Sequence, residues 1–201
     1  VGHGLGSVPK MIIVKDLTNA ENWEVYNAAL GATKSFYLNA TTVPFISSER
    51  WNDTSPTNSV FSLGTSKTNN NNANIIAYCF ADVTGFSKFG SYTGNGSSDG
   101  TFIYTGFKPA FVIFKRTSGT GNWQLLDNKR LGYNVENRTI YPNTQAAQQD
   151  EDDADLLSNG FKLRGSGTDG NGSGSTYIYM AFAENPFVAT SGTNAVPVTA
   201  R

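Results

Sequence analysis

An internal repeat constrains this chain more than any other feature. The run Pro9-Lys10-Met11-Ile12-Ile13-Val14-Lys15 returns as Pro109-Ala110-Phe111-Val112-Ile113-Phe114-Lys115, an offset of 100 residues. Asn22-Trp23 returns as Asn122-Trp123, Leu30-Gly31 as Leu131-Gly132, and Tyr37-Leu38-Asn39 as Tyr141-Pro142-Asn143. Val60-Phe61-Ser62-Leu63 returns as Gly160-Phe161-Lys162-Leu163. Ile75-Ile76-Ala77-Tyr78-Cys79-Phe80-Ala81-Asp82 returns as Tyr177-Ile178-Tyr179-Met180-Ala181-Phe182-Ala183-Glu184, now 102 residues on. Anchors that keep one order, with small insertions between them, read as two copies of one unit. A chain of 201 residues has room for two such units.

Each copy reads as short strands. Runs 10–15 and 110–116 are nearly continuous apolar residues, rich in β-branched and aromatic types, and predict buried strands. Segments 22–27 and 122–127 follow a polar turn at hairpin spacing. Further strands are expected at 35–39 and 139–141, at 59–63 and 160–164, and at 75–82 and 176–184. The polar loops 65–74 and 165–175 fall in equivalent places and differ between copies, as hairpin tips on a shared scaffold do. Abundant Gly, Asn, Ser and Thr, with 12% aromatics, suit a sandwich or barrel. The expected fold is all-β: two tandem antiparallel β-sandwiches, the first at 1–85 and the second at 86–187, followed by a polar tail at 188–201. A strand near 89–93 runs into the Gly-rich turn 94–100, and another strand follows at 101–104. Residues 101–108 fall opposite 1–8, so the 89–93 strand has no counterpart in the first copy. The first copy is therefore expected to lack its N-terminal strand and to leave an open sheet edge, covered by a preceding domain.

The chemistry of the sequence is that of a non-enzyme. Charged residues are 15% of the chain and the net charge is -1, which does not supply the basic face that nucleic acid or an anionic membrane surface requires. No apolar run reaches the length of a membrane span. His3 is the only histidine, so no Ser/His/Asp or Cys/His pair can be assembled around another one; it reads as an edge residue. Cys79 is the single cysteine, lies in an apolar run, and reads as a small core hydrophobe. The cluster Asp150-Glu151-Asp152-Asp153-Ala154-Asp155 reads as a solvated loop; it lacks the spacing of a calcium loop, and no metal or other cofactor is expected. The Gly-rich segments lead into strands rather than helices, so they read as turns and not as phosphate loops. Trp23 and Trp123 hold equivalent positions and read as core. Trp51 has no counterpart and falls in the segment 47–57 between Pro44 and Pro56. It reads as an exposed loop aromatic and is the one candidate ligand contact, a platform for a sugar ring. Asn39-Ala40-Thr41 and Asn137-Arg138-Thr139 fit the glycosylation pattern, a weak signal in a chain of this composition.

Several segments also carry a resemblance. They are Gly2-His3-Gly4-Leu5-Gly6-Ser7-Val8-Pro9-Lys10-Met11-Ile12-Ile13-Val14-Lys15, Phe86-Ser87-Lys88-Phe89-Gly90-Ser91-Tyr92-Thr93-Gly94-Asn95-Gly96 and Leu157-Ser158-Asn159-Gly160-Phe161-Lys162-Leu163-Arg164. They resemble a repeated domain of marine bacteriophage virion and tail-fibre-like proteins. The resemblance implies lectin-like (concanavalin-like) or jelly-roll β-sandwiches and a location on the virion surface, in a tail fibre or the outer capsid. It implies assembly and host-surface attachment, as a homo-oligomer such as a trimer, with other virion proteins and a host-surface glycan as partners. It brings no catalytic residues. A capsid-decorating or other outer-shell protein is one alternative, and a carbohydrate-binding module is another. The loops expected to make contacts are 47–57, 65–74, 143–155 and 165–175. A glycan-cleaving enzyme would instead require two carboxylates converging in a cleft.

Overall fold

The computed structural model describes residues 1–66, 68, 73–130, 134 and 136–186. The anchor Leu131-Gly132, part of the loop 65–74, Phe187 and the tail 188–201 lie outside the described residues. The chain divides into two compact units, Val1–Ala81 and Asp82–Arg201. Both are built from antiparallel strands, so the chain is all-β. Among the described residues no helix is long and apolar enough to cross a membrane.

The first unit contains β1 (Met11–Asp16), β2 (Glu24–Asn27), β3 (Lys34–Tyr37), β4 (Phe45–Ile46), the single-turn helix α1 (Ser48–Trp51) and β5 (Ile75–Phe80). The strands form one sheet in the order β4-β3-β2-β1-β5. The β1–β2 turn is set by Asp16, whose Oδ1 accepts the backbone N–H groups of Thr18 and Asn19, both at 2.8 Å. An Asx turn of this kind lets a short polar side chain stand in for a backbone partner. The core gathers Ile12, Val14, Tyr26, Ala32, Trp51 and Phe61. The strand expected at 59–63 is reduced to one bridge, Val60 with Gly2. The chain folds back there, because Thr57 Oγ1 accepts from the N–H groups of Ser59 and Val60.

The second unit contains β6 (Ser87–Thr93), β7 (Phe102–Tyr104), β8 (Pro109–Arg116), β9 (Trp123–Asp127), β10 (Glu136–Thr139), β11 (Gln149–Leu157), β12 (Gly160–Leu163) and β13 (Thr176–Ala183). They make two four-stranded sheets, β10-β11-β12-β7 and β6-β13-β8-β9. Side chains from both sheets meet in one core, including Ile103, Leu156 and Phe161 from one and Val112, Phe114, Leu126 and Tyr179 from the other. This is a β-sandwich. A bridge from Leu125 to Ile140 links the sheets at one side. The acidic run is a correction to the sequence reading. It is strand β11 and not a loop, because Arg138 pairs Asp150 at 2.9 Å and Arg164 pairs Asp155 at 2.5 Å. Cross-strand cations make an acidic strand tolerable.

Pairing registers agree between the units. Ile12 faces Tyr26 and Cys79, while Val112 faces Leu126 and Ala181. Val14 faces Glu24 and Ala77, while Phe114 faces Gln124 and Tyr179. These pairs keep the sequence offsets of 100 and 102. The equivalence extends to side chains: Asn39 Oδ1 accepts from Trp23 N and its Nδ2 donates to Asn22, and Asn143 does the same for Trp123 and Asn122. Asn39 thus has a structural use within the candidate glycosylation triplet.

Candidate functional site

Position 24 of the first unit and position 124 of the second share a register, but their surroundings differ. Glu24 is buried and fully engaged: Arg50 Nε lies 3.1 Å from Oε1 and Ser35 Oγ donates to Oε2 at 2.8 Å. Arg50 comes from α1, which also anchors the following loop, since Gly64 N–H and Thr68 Oγ1 donate to the Arg50 carbonyl. In the second unit the corresponding strand meets a cleft of about 470 Å³, lined by Gln124, Tyr141, Glu151 and residues 165–171 except Ser166. Gln124 is 1% exposed, and its Oε1 has no hydrogen-bond partner among the described residues. Leaving a buried acceptor unpaired costs about 1–3 kcal/mol.

The cleft is held rigidly. Tyr92 and Tyr177 stack in the core with ring centroids 4.8 Å apart. Their hydroxyls reach up to the loop: Tyr92 donates to the Gly170 carbonyl at 2.8 Å and Tyr177 to the Thr168 carbonyl at 2.6 Å, while Gly172 N–H donates to the Tyr177 hydroxyl. Asn171 ties the same loop to the turn after β6, accepting from Asn95 N–H and donating to Asn95 Oδ1, Ser97 O and Gly165 O. Gly94 is required at that crossing, because a Cβ there would come within 2.5 Å of the Gly172 carbonyl oxygen. Asp169 accepts from Asn122 N–H at 3.3 Å, so its carboxylate is oriented from the β9 side. Behind the cleft, burial depresses the Lys115 ammonium to about 8, against the opposing pull of Asp169. The lining offers an amide, a phenol and two carboxylates, beside a loop whose Gly165, Thr168 and Gly170 carbonyls already hold internal donors.

The sequence-predicted residues fall elsewhere. Trp51 is a correction: it is 1% exposed and stands edge-on to Tyr26 with ring centroids 5.7 Å apart, so it is core and offers no platform. The α1 turn draws it inward, and one turn of helix leaves no periodic trace in a sequence. Trp123 is buried, whereas Trp23 is half-buried and stacks on Tyr78. His3 accepts Leu5 N–H at Nδ1, which leaves Nε2 to donate to the Thr57 carbonyl. Cys79 is half-buried against the first core, and burial raises its thiol pKa. Among the described residues, no three His, Cys, Asp or Glu side chains converge as a metal site. The loop expectation touched the cleft through Glu151 and residues 165–171, but Gln124 was missed. The change from Glu24 to Gln124 at one repeat position was the available signal.

A family model described as a domain of unknown function, DUF7483, matches residues 1–186. The chain belongs to this family. The DUF7483 match spans both units and the whole cleft lining. No curated protein and no solved structure matches the chain.

Proposed function

We propose that this DUF7483 chain is a structural protein of a bacteriophage virion, tail-fibre-like and displayed on the particle surface, which attaches to host-surface glycan through the cleft of its second unit. The observation that carries the attachment reading is the buried Gln124 Oε1, which has no partner among the described residues, in a cleft that two carboxylates also line. Glu24 shows what such a position needs, since two donors meet it in the first unit. A ligand rich in hydroxyl or amine donors supplies the same at Gln124, and Tyr141 adds an aromatic wall. Glu151 and Asp169 disfavour acidic sugars there. The resemblance of residues 2–15, 86–96 and 157–164 supports the virion setting. The role is binding without catalysis, in a homo-oligomer alongside other virion proteins.

Two experiments test this reading. Antibody to the chain, imaged by immunogold on particles that carry it, should label tail fibres; label on the head moves the protein to the capsid-decorating alternative, and absence from particles refutes the virion role. The purified chain on an array of neutral, amino and acidic glycans should bind neutral or amino members, leave them uncleaved, and lose binding in Gln124→Met. Equal binding by Gln124→Met refutes the cleft assignment.

A further inference from the structure

We infer that the outer edge of β5 is a strand-accepting site whose occupant is an extended antiparallel segment of the β6 pattern, Phe-Gly-Ser-Tyr-Thr. The inference is independent of the glycan reading. It rests on one sheet edge that is treated differently in the two units. In the second unit β13 lies between β8 and β6. In the first unit β5 pairs with β1 in the same register, and among the described residues no strand pairs with its other side. The Phe80 carbonyl accepts from Lys10 N–H and the Asn74 carbonyl from Leu17 N–H, both toward the β1 side. Antiparallel alternation then turns the backbone groups of Ile75, Ala77 and Cys79 outward.

The side chains specify the occupant. In the second unit Tyr92 of β6 faces Tyr177, Gly90 faces Tyr179, Phe89 faces Met180 and Lys88 faces Ala181. The matching β5 residues are Ile75, Ala77, Tyr78 and Cys79. Where the second unit has bulky Tyr177 and Tyr179, the first has smaller Ile75 and Ala77. A groove of about 380 Å³ results, lined by Ile75, Ala77, Cys79, Phe61, Leu63 and the segment 1–3. That is the side on which an incoming strand presents its Tyr92-type ring, so an aromatic facing Ile75 fills the groove. Tyr78, exposed at 43%, lies on the opposite face, where the Phe89-type residue comes beside it. β-augmentation of this kind draws affinity from the backbone ladder and specificity from alternate side chains. One difference sets the site apart from β6's own place. A Cβ on Gly90 would come within 2.9 Å of the Tyr179 ring, but Ala77 leaves room for it.

Cys79 is the only cysteine and lines the groove, so it reports occupancy directly. The full chain is labelled with a thiol reagent in mildly alkaline buffer, with and without a synthetic peptide of residues 86–96. At about ten times its Kd the peptide should slow Cys79 labelling about tenfold. The same peptide should protect the Ile75, Ala77 and Cys79 amides from hydrogen exchange. Peptide carrying Tyr92→Ala should do neither, and peptide carrying Gly90→Ala should act like the parent. Unchanged labelling at saturating peptide overturns the proposal, as does a scrambled peptide of equal effect. Loss of action in the Gly90→Ala peptide overturns the register. Labelling that slows with protein concentration but not with peptide assigns the edge to a second copy and overturns it. Faster labelling after removal of residues 187–201 assigns the edge to the chain's own tail, with the same consequence.

Discussion

Tyr177→Phe removes one oxygen and tests whether the cleft loop is braced from the core. The Tyr177 side chain is fully buried, and its hydroxyl makes two hydrogen bonds, to the Thr168 carbonyl at 2.6 Å and from Gly172 N–H at 2.8 Å. Thr168 is exposed, so water can replace its partner; Gly172 is buried and keeps an orphaned N–H. Two hydrogen bonds at about 1 kcal/mol each, with part of a buried-donor penalty added, give a loss of about 2–3 kcal/mol. Tyr92→Phe removes the hydrogen bond to the Gly170 carbonyl and should cost about 1 kcal/mol. Native-state hydrogen exchange reads the second unit by itself: β13 amides report its global opening and Gly172 its local opening. In Tyr177→Phe both should fall, with Gly172 falling further. Because the two rings stack, the double variant should depart from the sum of the singles. A Tyr177→Phe loss below about 0.5 kcal/mol would show that its hydroxyl does not brace the loop.

Trp51→Ala should destabilise the first unit by about 3–5 kcal/mol, as truncation of a buried aromatic does, and leave glycan binding by the second unit unchanged; urea unfolding and the glycan array check the two halves. Lys115 gives a pH signature. Its folded pKa of about 8 lies below the unfolded 10.5, so between those values the unfolded chain holds a proton that the folded chain has released. Stability from this group therefore rises with pH across that window, and Lys115→Met should flatten the rise in urea midpoints measured from about pH 7.5 to 9.5. Above pH 10 the opposite sign takes over, because burial raises Tyr179 to about 12 and holds its proton in the folded state.

Much of the architecture was legible because burial writes itself into strands. The runs that became β1, β8 and β13 are apolar and β-branched or aromatic and lie inside their sheets, and the similar run that became β5 forms the edge beside β1. What was not legible followed from local chemistry too short or too polar to leave a pattern. The α1 turn is four residues long, so Trp51 read as a loop aromatic although Tyr26 and the first core enclose it. The acidic β11 read as solvated loop because its cations, Arg138 and Arg164, lie on other segments. The cleft was half visible. Loops 143–155 and 165–175 were named as contact loops, and the lining includes Glu151 and Asp169 from them. Gln124 was hidden because an amide inside an apolar strand looks unremarkable until its partners are counted.

Position in the fold distinguishes Gln124 from the other buried polar groups that lack a partner among the described residues. Among the described residues Trp51 Nε1 and Asn128 Oδ1 are likewise buried without a partner, and so is Asp155 Oδ1. None of these three residues lines the cleft. Asp155 already holds Arg164 through its other oxygen. Arg50 lacks a well-aligned hydrogen bond at Nε, yet lies 3.1 Å from Glu24. Gln124 alone among them combines a buried, unmet acceptor with a place in the cleft lining. The first unit shows what closing such a position takes, a cation on an added helical turn and a serine hydroxyl, both meeting Glu24. With an amide in place of the carboxylate, the second unit gives up the charge that would recruit a cation and retains the acceptor. That change suits an exchangeable neutral donor better than a permanent internal one. Fold stability alone would favour filling or replacing so costly an acceptor. Its presence beside a loop braced by two buried tyrosines therefore favours a binding role in the second unit.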